Sequence, residues 1–319
     1  MNPLTSFFTI FLACAGIAAA APSKIAAQPV PGVERLAGKR VLILGDSITQ
    51  AGSYVSFMEY FLQKGNPGKS FDIVSAGLGS ETTSGLSEPG HAGGAFPRPC
   101  VHERLDRALR AVKPAVVLAC YGMNDGIYQP YDETRMKAFR DGITKLASEA
   151  KSARADVVLI TPPVFERADR AVYEPVLAKF AEWEVQHPPA GVVAVVDLHT
   201  PMNAALVARR AVNPAFKFTT DGIHPGELGH LVMALEIIKG LGAPTPEGTP
   251  EKILADIKAD PLFALVNKRR VLRSSAWLAH IGYTREKKVA PKTGDIAATE
   301  REVAALQVEI DTLRRKAVQ

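Results

Sequence analysis

Five short, mostly branched apolar runs constrain this chain more than any other feature. They fall at 40–44 (RVLIL), 71–75 (FDIVS), 115–122 (AVVLACYG), 156–163 (DVVLITPP) and 191–198 (GVVAVVDL). A strand with one wet face alternates apolar and polar residues, whereas an unbroken apolar run suits a parallel strand covered on both faces. Between the runs the spacing becomes helical: Tyr54, Phe57, Met58, Phe61 and Leu62 share a face, as do Val101, Leu105, Ala108, Leu109 and Val112. Residues 133–152, 172–186 and 226–240 also read as helices. Strands alternating with helices predict an α/β fold: a three-layer α/β/α sandwich around a five-stranded parallel sheet with right-handed crossovers. At 319 residues and 47% hydrophobic, the chain is long enough to bury that core and carry an extension.

The ends divide the chain further. MNPLTSFFTIFLACAGIAAAAP holds an apolar run from Phe7 to Ala21 that ends in small residues. This pattern predicts a signal peptide over 1–20, cleaved after Ala20, and a secreted or periplasmic product. About 15 apolar residues are too few to span a bilayer, so no stable membrane span is expected after cleavage. A lipid anchor through Cys14 has a poor lead-in. Cys100 and Cys120 remain, an even pair in a compartment that permits disulfides; a bridge between them and a buried free thiol at Cys120 both stay open. Neither cysteine has zinc-like spacing with histidine.

The net charge of +5 is mostly local, because residues 246–319 hold 14 Lys+Arg against 10 Asp+Glu, leaving 24 against 23 before them. A near-neutral body argues against nucleic acid as a partner. APTPEGTP reads as a linker, which divides the chain into a main domain at 35–243 and a linker with helical extension at 244–319. Val303, Leu306, Ile310 and Leu313 have heptad-like spacing but too few repeats for a coiled coil, so packing on the body is expected. Trp277, near His280 and Tyr283, reads as a docking anchor or a sugar-stacking platform.

Ligands of open parallel sheets bind outside the carboxyl ends of the strands. There this chain places Ser47 after the first run, Gly79-Ser80-Glu81-Thr82 after the second and Gly122-Met123-Asn124-Asp125 after the third; Asp221-Gly222-Ile223-His224-Pro225 precedes the last helix. Acyl transfer needs such parts. A serine hydroxyl attacks well only if a base takes its proton. His224 is the candidate base, and Asp221, three residues earlier, can bond the imidazole Nδ1–H and support the imidazolium. Oxyanion donors are offered by the Ser47 N–H, an N–H at Gly79 or Ser80, and the Asn124 amide. Asp46 is expected to hold the turn through neighbouring amides, and Gly45 to supply unusual backbone angles. A strand-to-helix cap alone explains Gly45-Asp46-Ser47 equally well, and Asp221, His224, Glu227 and His230 form a rival metal constellation without recognised spacing. The stretch 77–100, rich in Gly, Pro and Ser, is long for a compact domain and reads as a site-lining or mobile loop.

GDSIT, GLGSET, GMND and DGIHP together resemble the four sequence blocks of the SGNH, or GDSL-type, hydrolases over roughly residues 38–243. The resemblance implies a flavodoxin-like sheet (the SGNH hydrolase fold), Ser47 as nucleophile, Asn124 as oxyanion donor, and Asp221 and His224 as triad partners. It also implies carboxylic ester cleavage with no cofactor and no metal. In the family's second block a Gly usually stands where this chain has Ser80. No Gly-x-Ser-x-Gly elbow is present, which speaks against an ordinary α/β-hydrolase. Three functions follow. The first is an exported carbohydrate esterase acting on an acylated glycan. The second is a lipid esterase or thioesterase, with Phe96, Tyr121, Met123 and Tyr128 lining an acyl channel. The third is a glycan-binding protein with a vestigial site.

Overall fold

The computed structural model describes residues 32–285, 288–289 and 296–316. The leader expected at 1–20 lies outside them. The strands are β1 (Arg40–Gly45), β2 (Asp72–Ser75), β3 (Val116–Cys120), β4 (Asp156–Ile160) and β5 (Val192–Val196). Between and after them run α1 (Ser47–Ala51), α2 (Ser53–Gly65), α3 (Leu105–Val112), α4 (Glu133–Ser152), α5 (Arg170–Gln186), α6 (His199–Val212) and α7 (Glu227–Gly240). The chain continues through α8 (Pro250–Ala259), α9 (Pro261–Ile281), a two-residue hairpin pair β6 (Thr284–Arg285) and β7 (Lys288–Val289), and α10 (Ile296–Lys316).

The five main strands pair in parallel in the order β2-β1-β3-β4-β5. From β1 the chain steps one way to β2, then crosses back to β3 and on to β5. Right-handed crossovers therefore put α2 on one face and α3 and α4 on the other. α7 returns to pack against α2. The central strands β1, β3 and β4 are buried almost throughout, which is why their sequences do not alternate. The α/β sandwich and parallel sheet are as the sequence predicts. Its strands run past the last paired residues, however. Pairing ends at Cys120, Ile160 and Val196, and the apolar residues beyond them are buried in loops at the carboxyl edge. The helix expected from Val101 opens with a separate 3-10 turn, Val101–Glu103, before α3 begins. α1 and α6 are additional elements.

The C-terminal helices pack on the body. α9 lies along α2 and the edge strand β2, where Arg273 donates to the Ile73 carbonyl at 3.1 Å and covers part of an edge that would otherwise offer free backbone groups. α10 packs on α9 through buried Val303, Leu306 and Ile310. Trp277 is buried there, its indole N–H donating to Glu300 at 2.7 Å, so it serves as a docking anchor and has no face open to a sugar. Arg270 reaches back to the Ala51 carbonyl at 3.0 Å, the C-terminal end of the short helix that Ser47 begins. Cys100 and Cys120 are both free thiols, and burial raises both pKa values. Among the described residues, no helix is long and apolar enough to cross a membrane.

Candidate active site

β1 ends against a wall. A Cβ on Gly45 would lie 2.2 Å from Thr49 Oγ1 and 2.7 Å from the Cys120 carbonyl. Its φ is not positive, so Gly45 is required by close packing and not by the unusual backbone angles expected for it. α1 starts at once, with Asp46 as N-cap: Oδ1 accepts the Ile48 N–H at 2.9 Å. Burial pushes the Asp46 carboxyl up to about 7, against the Ile48 bond and helped by the nearby Asp125 and Glu81 charges. Of the neighbouring amides, Asp46 Oδ1 ties that of Ile48. Ser47 follows, partly exposed, in the first helical turn, where backbone N–H groups have no acceptor within the helix.

Ser47 Oγ lies 2.8 Å from His224 Nε2, and His224 Nδ1 lies 2.7 Å from Asp221 Oδ2. Asp221 Oδ1 also accepts the Ile223 and His224 N–H groups at 2.9 and 2.8 Å. Partial burial would raise the Asp221 pKa, but the bonds from the His224 ring and these two amides hold it down to about 2. A carboxylate so fixed directs the Nδ1 proton of the imidazole toward itself and leaves Nε2 to face the serine. The His224 and Asp221 side chains are 43% and 52% exposed, so the arrangement opens to solvent at the carboxyl edge of the sheet. Gly222 permits the turn between them: its φ is 92°, and a Cβ there would come within 2.7 Å of the Arg167 backbone nitrogen.

The loop after β2 supplies the second flank. The Gly79 N–H donates to Gln50 Oε1 at 2.7 Å, so this amide is already engaged. Among the described residues, Ser80 N–H has no such acceptor, and Ser80 is left-handed with φ 66°. A glycine would adopt that conformation without the Cβ penalty. Asn124 is buried after β3; its Nδ2 donates to the Glu81 carbonyl at 3.2 Å, and its Oδ1 accepts from Arg98 Nη1 at 2.9 Å and Tyr128 OH at 2.8 Å. The second Nδ2 hydrogen remains available for a substrate oxygen.

Several supports escaped the sequence reading. Asp125 gathers the Thr83 N–H and hydroxyl and the Ser84 N–H on one oxygen and the Gly122 N–H on the other, binding the second and third blocks together. Glu81, paired with Arg104 at 2.6 Å and with the Tyr121 hydroxyl at 2.6 Å, is fully buried beneath them. Glu166, from the loop after β4, holds the loop that carries Asp221 and His224. Only the adjacency of Asp125 to Asn124 could have signalled any of these. The rival metal constellation does not assemble: Glu227 pairs with Lys258 at 3.0 Å, and His230 stacks on Tyr54. Burial, with Arg270 and His224 nearby, lowers the His230 pKa to about 4. Among the described residues, no three His, Cys, Asp or Glu side chains gather as metal ligands.

No curated protein matches the chain. Among solved structures, BT4096, a gut microbial diltiazem-metabolizing enzyme, is 20% identical with a TM-score of 0.49 over 65% of this chain and 47% of its own, so the chain spans about half that protein. Axe2, an acetylxylan esterase from Geobacillus stearothermophilus, is 20% identical with a TM-score of 0.47 over 69% of this chain and 100% of its own. LAE5, an alpha/beta hydrolase enzyme from the metagenome of Lake Arreo, Spain, is 24% identical with a TM-score of 0.47 over 65% of this chain and 96% of its own. The model of the GDSL-like Lipase/Acylhydrolase family matches residues 43–232, well over half the chain, and the protein therefore belongs to that family of ester hydrolases.

Proposed function

We propose that the protein is an exported serine esterase that removes acetyl or similar short acyl groups from a carbohydrate, using Ser47, His224 and Asp221. The observation that carries the mechanism is the continuous chain from Ser47 Oγ to His224 at 2.8 Å and on to Asp221 at 2.7 Å. In this reading Ser47 Oγ attacks the ester carbonyl carbon while its proton passes to His224 Nε2. The carbonyl oxygen becomes an oxyanion, held by the Ser47 and Ser80 N–H groups and the free Asn124 Nδ2 hydrogen. Collapse breaks the bond to the alcohol oxygen, which takes the proton from His224, and leaves an acyl-serine. Water, deprotonated by His224, repeats the sequence and releases the acid.

Two features support a carbohydrate alcohol. The leader over 1–20 addresses the product to where glycans are met. Of the four residues that would line an acyl channel, Tyr121 and Met123 are core side chains at 1% exposure, and Tyr128 is committed to Asn124. In our assignment, residues 35–243 form the catalytic domain and 244–319 the linker and helical extension. Initial rates on p-nitrophenyl esters of graded chain length, and acetate release from acetylated polysaccharides, test the function. Acetate preference with release from a polysaccharide supports it, and rates rising toward long chains favour a lipid esterase. Equal turnover by Ser47→Ala sinks the serine mechanism.

A further inference from the structure

The long loop between β2 and α3 closes on itself at a narrow neck. Thr82 N–H donates to the Pro99 carbonyl and Val101 N–H to the Thr82 carbonyl, both at 2.9 Å, while Asp125 pins Thr83 and Ser84. Just inside the neck the loop turns one arginine inward. Arg98 is only 8% exposed, an uncommon state for a guanidinium unless it is fully paired. Its Nε and Nη2 bind both oxygens of Glu88 at 2.6 Å, a bidentate pair that fixes the plane of the group. The bonds from Arg98 lower the Glu88 pKa against partial burial, so the pair is ionic. The guanidinium carbon sits 5.2 Å from the centre of the Tyr128 ring. The remaining nitrogen, Nη1, donates to Asn124 Oδ1 at 2.9 Å.

Tyr128 completes the arrangement from the other side, and at a backbone cost. Ile127 and Tyr128 are both left-handed, with φ 48° and 56°, a conformation that β-branched and bulky residues avoid. Such strain persists where surrounding contacts overdetermine it, often at functional sites. Here the result is a second donor on the same oxygen, Tyr128 OH at 2.8 Å.

Two donors on Oδ1, one of them charged, leave the Asn124 carboxamide one orientation. A flipped amide would set Nδ2 against a guanidinium and turn an oxygen lone pair toward the developing oxyanion. Charge drawn toward Oδ1 also strengthens the Nδ2–H as a donor, since bonds in a chain polarise one another. We propose that Arg98, clamped by Glu88 and assisted by Tyr128, is a positioning residue for the Asn124 oxyanion donor, and that the long loop serves to deliver it. This rests on the reading of Asn124 as an oxyanion donor.

A double-mutant cycle on p-nitrophenyl acetate tests it. Asn124→Ala is expected to lower kcat by about 100- to 1,000-fold, as loss of an oxyanion donor does. Arg98→Met, which keeps bulk and removes the charge, is expected to lower kcat by about 10- to 100-fold with KM within about twofold, since it weakens that donor without removing it. In the Asn124→Ala background Arg98→Met then costs no more than about twofold further, because its route of action is gone. A merely structural arginine would instead give losses that multiply, and that result overturns the proposal. Should Arg98→Met not fold, Tyr128→Phe removes only the second bond, with an expected kcat loss of about 3- to 10-fold that also vanishes in the Asn124→Ala background. Wild-type turnover in Asn124→Ala overturns both the proposal and the oxyanion reading. A slow Asn124→Ala beside a wild-type Arg98→Met and a wild-type Tyr128→Phe overturns the proposal alone.

Discussion

Glu166 ties down the loop that carries Asp221 and His224 at three backbone groups. Its carboxylate is buried, with Oε2 accepting the Phe218 and Thr219 N–H groups at 3.0 and 2.8 Å and Oε1 accepting Arg210 Nη2 at 2.7 Å. Its own N–H donates to the Gly222 carbonyl at 2.7 Å, between Asp221 and His224. Glu166→Gln retains shape but offers one acceptor and one donor. The best fit keeps the carbonyl on the two amides and turns the NH₂ against Arg210, which is 28% exposed and can move toward water. Two bonds then fall from charged to neutral strength and an ion pair is lost, about 2–4 kcal/mol in all. For a domain of this size that lowers Tm by about 5–15 °C. Displacing the His224 loop by even part of an ångström should lower kcat about tenfold or more, with KM changed less. Thermal unfolding followed by circular dichroism, and esterase kinetics well below Tm, measure the two effects separately. Wild-type Tm and kcat in Glu166→Gln would refute the reasoning outright. A lowered Tm with wild-type kcat would show that Glu166 stabilises the fold without setting the triad geometry.

Asp221→Asn keeps an oxygen for the Ile223 and His224 amides but presents NH₂ to Nδ1, which selects the wrong tautomer; kcat should fall by about 1,000- to 10,000-fold with KM little changed. Equal losses in kcat and substrate affinity would count against Asp221 as the orienting group. Asp46 holds its proton more tightly in the folded state (about 7, against a reference of 3.8), so its contribution is complete below about pH 4 and is lost as pH rises through 7. That difference is worth at most about 4 kcal/mol. Asp46→Asn keeps the cap through its amide oxygen, so its stability relative to wild type, from urea unfolding, should rise between pH 4.5 and pH 8. A difference that does not change with pH would refute this linkage. Deleting residues 246–319 strips Arg273 from β2, Arg270 from Ala51 and the apolar face of α9 from α2, and should leave a chain that unfolds at far lower urea. A truncated chain with wild-type Tm would show the extension to be energetically separate.

What could be read from the sequence depended on the range of the interaction. β1, β3 and β4 were legible because burial on two faces leaves unbroken apolar runs. α1 was not, since five residues cannot display a helical period, and α6 buries only His199, Met202 and Leu206, too sparse a stripe to separate from a loop. The expected strands ran on to Gly122 and Pro163 because burial, not pairing, makes residues apolar, and these loop residues lie in the core without a partner strand. The groups proposed to react were legible because each sits within a short local block: Ser47 beside its capping Asp46, Asn124 beside Asp125, and Asp221 three residues from His224.

The groups that hold those blocks in place left no such trace. Gln50 meets Gly79 across 29 positions, Arg98 meets Asn124 across 26, and Glu166 meets Thr219 across 53. An isolated charge gives no indication of which distant amide it will meet, since surface and buried arginines look alike until the chain is folded. Gly45 failed for a related reason. A glycine needed for its backbone angle and one needed for a neighbour's approach are the same letter, and only Thr49 and Cys120, 2.2 and 2.7 Å from the missing Cβ, tell them apart. With the proposed chemistry in local blocks and its support drawn from distant loops, the supporting residues can alter turnover without touching substrate. The Arg98 and Glu166 variants are therefore expected to act on kcat before KM.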